Sequence, residues 1–113
     1  DLFLDTLPYN AHTTTSDALW AGLPVLTCLG SAFAGRVAAS LLTAIGLPEL
    51  ITNSLADYEA MALRLAFRPD ELATLRRKLQ ANRLTTPLFD TKQFCNDIES
   101  AYLSMVRQHP AVA

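Results

Sequence analysis

Asn10-Ala11-His12-Thr13-Thr14-Thr15-Ser16-Asp17-Ala18-Leu19-Trp20-Ala21-Gly22-Leu23-Pro24-Val25-Leu26-Thr27-Cys28 reads, in order, as a polar loop, a short helix and an apolar strand. Thr13, Thr14, Thr15 and Ser16 are good N-caps, because a side-chain oxygen there can accept from the free amides of a first helical turn. Asp17-Ala18-Leu19-Trp20-Ala21 continues as helix, and Gly22 is the residue type that closes one. Pro24 to Cys28 is short, apolar and without alternation, which is how a strand buried on both faces of a parallel sheet reads.

The same alternation extends in both directions. Upstream, Leu2-Phe3-Leu4 is a short apolar run closed by Asp5-Thr6-Leu7-Pro8, and it too reads as a strand buried on both faces. Downstream, Gly30-Ser31 opens a helix predicted over Ala32 to Ile45, with Phe33, Val37, Leu41 and Ala44 on its apolar stripe and Gly46 after it. Leu47 to Thr52 leaves room for a brief third strand, and Asn53-Ser54 then caps a helix over Leu55 to Ala66. Pro69 sits in the first turn of the next helix, which runs to Leu84 with Asp70 and Glu71 where the dipole favours acids. Thr85 to Asp90 breaks it. The last helix, Thr91 to Gln108, places Phe94, Ile98, Ala101, Tyr102 and Met105 on one face, which must lie on something apolar.

Strands alternating with helices predict an α/β fold: a parallel sheet with helices on its faces and right-handed crossovers. Only three strands are readable, against about six in a full doubly wound sheet. The chain also starts at Asp1, directly in its first strand. The expectation is one domain over 1–113 that is part of a lobe, excised from a longer polypeptide, its sheet completed elsewhere. Residues 91–108 would pack on a second lobe outside this chain.

Composition narrows the function. Half of the 113 residues are hydrophobic and 18% are charged, the balance of a chain that buries a core. The nine Lys and Arg are scattered and the net charge is −2, so no basic face for nucleic acid can be read. Cys28 and Cys95 fall in apolar periodic segments without metal-site spacing, and both are read as reduced core residues. No apolar run nears the ~20 residues that span a bilayer, and no basic-then-apolar leader is present. The reading is cytoplasmic, with neither membrane nor nucleic acid as partner.

In open parallel sheets, ligands bind beyond the carboxyl ends of strands, where helix N-termini present free amides and a positive dipole end to anions. His12 to Asp17 occupies that place. Thr13 and Thr14 offer hydroxyls and N–H groups to a phosphate, and His12 could donate from its ring. Asp17 lies one turn after Thr14, where its two oxygens could take both hydroxyls of a ribose. Phosphate donors and a ribose acceptor one turn apart describe a nucleotide site. Spacing alone admits a second account: Thr13 or Thr14 only caps, Asp17 only answers the dipole, and His12 is a loop histidine.

The whole segment resembles the C-terminal catalytic lobe of the O-linked N-acetylglucosamine transferases. The resemblance rests on Leu4-Asp5-Thr6, Asn10-Ala11-His12-Thr13-Thr14 and Asp17 through Val25. It continues through Arg36-Val37-Ala38-Ala39-Ser40, Glu49-Leu50-Ile51, Tyr58-Glu59 and Pro87 to Gln93, in order and with similar spacing. Ala11 stands where animal members carry glycine, and Thr15 and Ser16 where they lack threonine, which suggests a bacterial relative.

That resemblance implies the C-terminal half of one Rossmann-like lobe of a two-lobed (GT-B) enzyme, ending in helices. The parent would be an inverting, metal-independent glycosyltransferase moving N-acetylglucosamine from UDP-N-acetylglucosamine to Ser or Thr hydroxyls of an acceptor protein. The donor is a substrate, and no cofactor is implied. His12, Thr13 and Thr14 would face the diphosphate and Asp17 would hold the ribose. The general base, the uracil-binding loop, the N-terminal lobe and the helical (TPR) repeats would lie upstream. No catalytic residue and no metal ligand is expected in this segment, and the isolated fragment should be inactive.

Two alternatives stay open at this point. One is the lobe of another GT-B glycosyltransferase or of a sugar-nucleotide epimerase; the other is a non-catalytic α/β interaction module docking through its last helix. Among the remaining residues, Arg36 is read as a packed or ion-paired surface arginine and Lys92 as a solvated helix start. Trp20, Phe33 and Tyr102 are read as core or interface, and His109 as having no role.

Overall fold

The computed structural model describes residues 1–110. Three parallel strands, β1 (Phe3–Leu4), β2 (Val25–Cys28) and β3 (Ile51–Thr52), lie in the order β1-β2-β3. The helices are α1 (Thr13–Trp20), α2 (Val37–Ala44), α3 (Leu55–Phe67), α4 (Pro69–Asn82) and α5 (Thr91–Gln108). Phe3 pairs with Val25 and Leu4 with Leu26, while Thr27 pairs with Ile51 and Cys28 with Thr52. The expected strand-helix alternation and parallel sheet are present.

β2 is the centre. All four of its residues are buried, as a strand covered on both faces requires. β1 departs from expectation: Leu4 is half exposed, because β1 is an edge strand whose outer side no described residue covers. Around β2, the side chains of Leu19, Leu42, Ile45, Leu47, Leu50, Leu65 and Leu79 close a continuous core.

Both βαβ returns use one device. After α1, Gly22 takes φ +83°, and the Gly22 and Leu23 amides donate to the Leu19 and Ala18 carbonyls. After α2, Gly46 takes φ +77°, with its own amide and that of Leu47 bonded to Thr43 and Leu42. This double closure satisfies the last helical carbonyls and turns the chain sharply back toward the sheet.

Two helical expectations shift. Ala32 to Arg36 is not the first turn of α2 but a loop with one 3-10 turn at Phe33–Gly35, so the helix starts at Val37. The face of α2 on the sheet carries Ala38, Ala39 and Leu42, with Ile45 just beyond, rather than Phe33, Val37, Leu41 and Ala44. Phe33 is 82% exposed. Small residues at 38 and 39 let the helix axis come close to β2, which the bulkier stripe would hold away.

α3 and α4 pack as a pair, α3 capped by Ser54, whose hydroxyl accepts from the Asp57 amide. α4 ends at Asn82. Trp20, expected in core or interface, is half exposed and is held from outside by the Arg83 guanidinium over its ring and the Phe89 ring edge-on at 5.0 Å. α5 has the predicted bounds and an Asp90 cap on the Gln93 amide, but none of its residues is buried. Cys95, on α5, is exposed, so the core expectation holds for Cys28 alone. Tyr102 is likewise exposed.

Candidate functional site

The loops after β1 and β2 meet at the carboxyl edge of the sheet, and two buried polar residues join them. Asp5, at the end of β1, accepts from the Ala11 amide at 2.8 Å and from the Thr27 hydroxyl at 2.7 Å. Its carbonyl takes the Tyr58 hydroxyl at 2.7 Å. Asn10, only 1% exposed, donates from its side-chain amide to the Thr6 carbonyl and accepts from the Ala38 amide through its oxygen. The Asn10 backbone amide donates to the Ala34 carbonyl, so the first loop is bonded to the second. The Asp5 carboxylate and the Asn10 amide thus each have their partners, the condition for keeping a loop rigid without apolar packing.

This scaffold delivers the start of α1 to solvent at the sheet edge. His12 is the residue before the helix, and no side chain caps it. Thr13 and Thr14 are exposed, whereas Thr15 is fully buried and donates its hydroxyl to the Ala11 carbonyl. The expectation that a threonine caps α1 is therefore not met, and the hydroxyl nearest the core is spent on the backbone. First-turn amides have no intrahelical acceptor, so the amides of Thr13 and Thr14 stand at an exposed, uncapped terminus. Asp17 is exposed and makes no ion pair or side-chain hydrogen bond among the described residues.

His12 is more constrained than its neighbours. Its Nδ1 is 2.7 Å from the Asn10 carbonyl oxygen, which can only accept, so Nδ1 carries the proton. Nε2 is then an acceptor in the neutral ring and donates to an anion only in the imidazolium. The Tyr9 ring stacks on the imidazole with centroids 4.7 Å apart, and Phe33 from the second loop stands at 6.4 Å.

Arg36 donates from Nη1 to the Gly30 carbonyl at 3.1 Å and forms no ion pair among the described residues; it fastens the second loop. Beyond Phe33 a groove of about 560 Å³ runs between α2 and β3, lined mainly by Leu29, Val37, Leu41 and Ile51. It is mainly apolar, and none of residues 12–17 lines it, although Phe33 at its rim is the same ring that stands near His12. Lys92 is exposed at the start of α5, and His109 is exposed just after α5 ends. Among the described residues no three His, Cys, Asp or Glu side chains cluster to hold a metal, and no helix is long and apolar enough to cross a membrane.

His12, Thr13, Thr14 and Asp17 thus share one exposed helical start. Asp5 and Asn10, which hold that start in place, were not singled out from the sequence as site residues; a lone Asp after a strand and a lone Asn in a loop carry no spacing signal, since their partners lie 22 and 28 positions away.

Residues 1–98 match the family model of Glycosyl transferase family 41. The chain is 44% identical over 110 residues to a probable UDP-N-acetylglucosamine–peptide N-acetylglucosaminyltransferase SEC of Arabidopsis thaliana, covering 96% of this chain and 11% of that protein. It is 40% identical over 109 residues to the UDP-N-acetylglucosamine–peptide N-acetylglucosaminyltransferase of Caenorhabditis elegans, covering 96% of this chain and 10% of that one. The fold superposes on a mutant of Thermobaculum terrenum O-GlcNAc transferase with a TM-score of 0.87 at 39% identity, covering 95% of this chain and 21% of that chain. The chain therefore spans about a tenth of the length of these two relatives and about a fifth of the solved structure.

Proposed function

The chain belongs to glycosyl transferase family 41, and from that premise we propose that it is the diphosphate- and ribose-holding segment of a protein O-GlcNAc transferase. The whole enzyme would transfer N-acetylglucosamine from UDP-N-acetylglucosamine to Ser or Thr hydroxyls of proteins. The observation that carries the reading is the uncapped start of α1, held rigidly at the carboxyl edge of the sheet with His12 beside it. Such a terminus lacks an acceptor for its amides, and a diphosphate supplies one.

In this reading the Thr13 and Thr14 amides and hydroxyls bond the β-phosphate side of the departing UDP. His12 binds as imidazolium, donating from Nε2 while Nδ1 stays on the Asn10 carbonyl. Asp17, one turn along, accepts from the ribose hydroxyls. Negative charge grows on the diphosphate as the glycosidic bond breaks, so fixed donors and the positive end of α1 stabilise that charge more in the transition state than in the ground state. Inversion at the sugar carbon then follows from attack by the acceptor hydroxyl on the face opposite UDP, without a divalent cation in the mechanism. The base that takes the acceptor's proton lies in the part of the enzyme upstream, so the isolated chain does not turn over. α5, with its apolar face exposed, packs in the whole enzyme on the other lobe.

The test is a UDP titration into the isotope-labelled chain, followed at backbone amides, with Asp17→Ala as control. Saturable shifts centred on residues 12–17 and weakened in the control support the site. Shifts that centre elsewhere, or none either here or in a longer chain including the upstream lobe, refute it.

A further inference from the structure

Tyr9 has an exposed ring whose place the core does not explain. The side chain is 65% exposed and its hydroxyl has no hydrogen-bond partner among the described residues. Its backbone is fixed, however, because the Tyr9 carbonyl accepts from the Thr6 hydroxyl at 2.8 Å. That anchor sets the ring against His12, with centroids 4.7 Å apart and planes 26° from parallel.

His12 is tethered at one point only, the 2.7 Å bond from Nδ1 to the Asn10 carbonyl. A single hydrogen bond leaves an imidazole free to pivot, or to exchange Nδ1–H for Nε2–H and turn its other edge inward. A stacked ring at the observed separation opposes both motions, since pivoting breaks the overlap. The acceptor at Asn10 is itself rigid, with its side chain bonded to Thr6 and Ala38.

We infer that Tyr9 is a positioning residue: its ring holds the imidazole of His12 with Nδ1–H on the Asn10 carbonyl, so that Nε2 is the edge presented to the ligand. The aromatic face, not the phenol hydroxyl, does this, so Phe at position 9 serves as well. The ligand half of the inference rests on the reading of His12 given under Proposed function; the tautomer half does not.

The experiment compares the unsubstituted chain with Tyr9→Phe and Tyr9→Ala. Ring-nitrogen NMR reports the His12 tautomer without ligand, and UDP titration is then repeated with His12 intact and in His12→Ala. The Nδ1–H tautomer should dominate in the unsubstituted chain and in Tyr9→Phe and become mixed in Tyr9→Ala. UDP affinity should fall about threefold to tenfold in Tyr9→Ala, the scale of one aromatic contact. It should hardly change in Tyr9→Phe, and Tyr9→Ala should cost nothing further once His12 is Ala. An undiminished Nδ1–H tautomer in Tyr9→Ala overturns the inference. So does an equal loss of UDP affinity in both backgrounds, which means the ring touches the nucleotide itself. If the unsubstituted chain and a longer one both ignore UDP, the functional reading fails while the tautomer comparison still decides the role of Tyr9.

Discussion

The hydroxyl of Thr27 donates to a carboxylate oxygen of Asp5 at 2.7 Å, inside the core, while the other oxygen of that carboxylate receives the Ala11 amide. One buried acid thus joins β1, β2 and the loop that leads to α1. The bond is part of the fold and of the site at once, because Ala11 is adjacent to His12.

Asp5→Ala leaves a hydroxyl and an amide without acceptors, and it should destabilise the chain by about 2–4 kcal/mol. Asp5→Asn should cost clearly less. Its oxygen can still accept from Ala11, while its NH2 can donate to the Thr27 oxygen once that hydroxyl rotates. Urea unfolding of the two variants measures the difference, and equal losses would show that the carboxylate acts through its charge rather than through two acceptors.

Tyr58 closes the same knot from α3 through its bond to the Asp5 carbonyl. Burial first, then electrostatic repulsion from Asp5 and, last, from Cys28, holds the phenol's pKa above the usual tyrosine range. The unfolded chain therefore loses this proton at a lower pH than the folded one. The stabilisation is complete below about pH 10, the ordinary tyrosine value, and is lost as pH rises through the folded value. Tyr58→Phe should cost about 1 kcal/mol at neutral pH. It should also flatten the fall in stability above about pH 10. Unfolding curves of both chains from neutral to alkaline pH test the pair of statements; parallel alkaline slopes count against the linkage.

Gly22 and Gly46 both have positive φ, yet their surroundings differ. A Cβ at Gly22 meets nothing within 4 Å, whereas one at Gly46 comes to 2.9 Å of the Asn82 amide nitrogen. That nitrogen donates to the Ile45 carbonyl at 3.0 Å. Gly22→Ala should cost only the backbone term, about 1–2 kcal/mol. Gly46→Ala should cost about 1 kcal/mol more, because the Asn82 bond must be displaced as well. Thermal melts of the two variants rank them directly, and a reversed order would mean that Asn82 moves aside at no cost.

The elements easiest to read were those whose limits are set locally. α5 starts and stops where the sequence indicates, because Asp90 caps it and its apolar period runs unbroken. α2 starts later than composition indicates, because Ala32 to Ala34 are residue types that a helix accepts. What keeps that stretch a loop is the distant Asn10 amide on Ala34, together with the loop-closing Gly30 amide on Gly35. The buried face of α2 is not legible in the pattern because apolar residues surround the helix, and only the close approach to β2 selects Ala38 and Ala39 over Phe33 and Val37. At the site, His12, Thr13, Thr14 and Asp17 were legible as a spacing and as a family resemblance. The tether of His12 to Asn10 and the burial of Thr15 were not, since neither follows from residue type.

The division of labour proposed along α1 makes a separable prediction. If the start of the helix holds the diphosphate and Asp17 the ribose, then the two ends should respond differently to ligands that lack one part. Inorganic pyrophosphate has the anion and no ribose, so Asp17→Ala should leave its binding intact or slightly stronger, because a negative charge one turn from the anion is removed. UDP should lose about tenfold on the same change, the worth of a charge-assisted hydrogen-bond pair. His12→Ala should weaken both ligands, because the ring edge beside the diphosphate is removed in either case. Calorimetric titration of UDP and pyrophosphate into the chain and both variants, in the longer form with the upstream lobe if the short one binds too weakly, supplies every comparison. An equal loss of UDP and pyrophosphate on Asp17→Ala would place the carboxylate's effect in helix stability, and the ribose assignment would then be abandoned while the anion site stood.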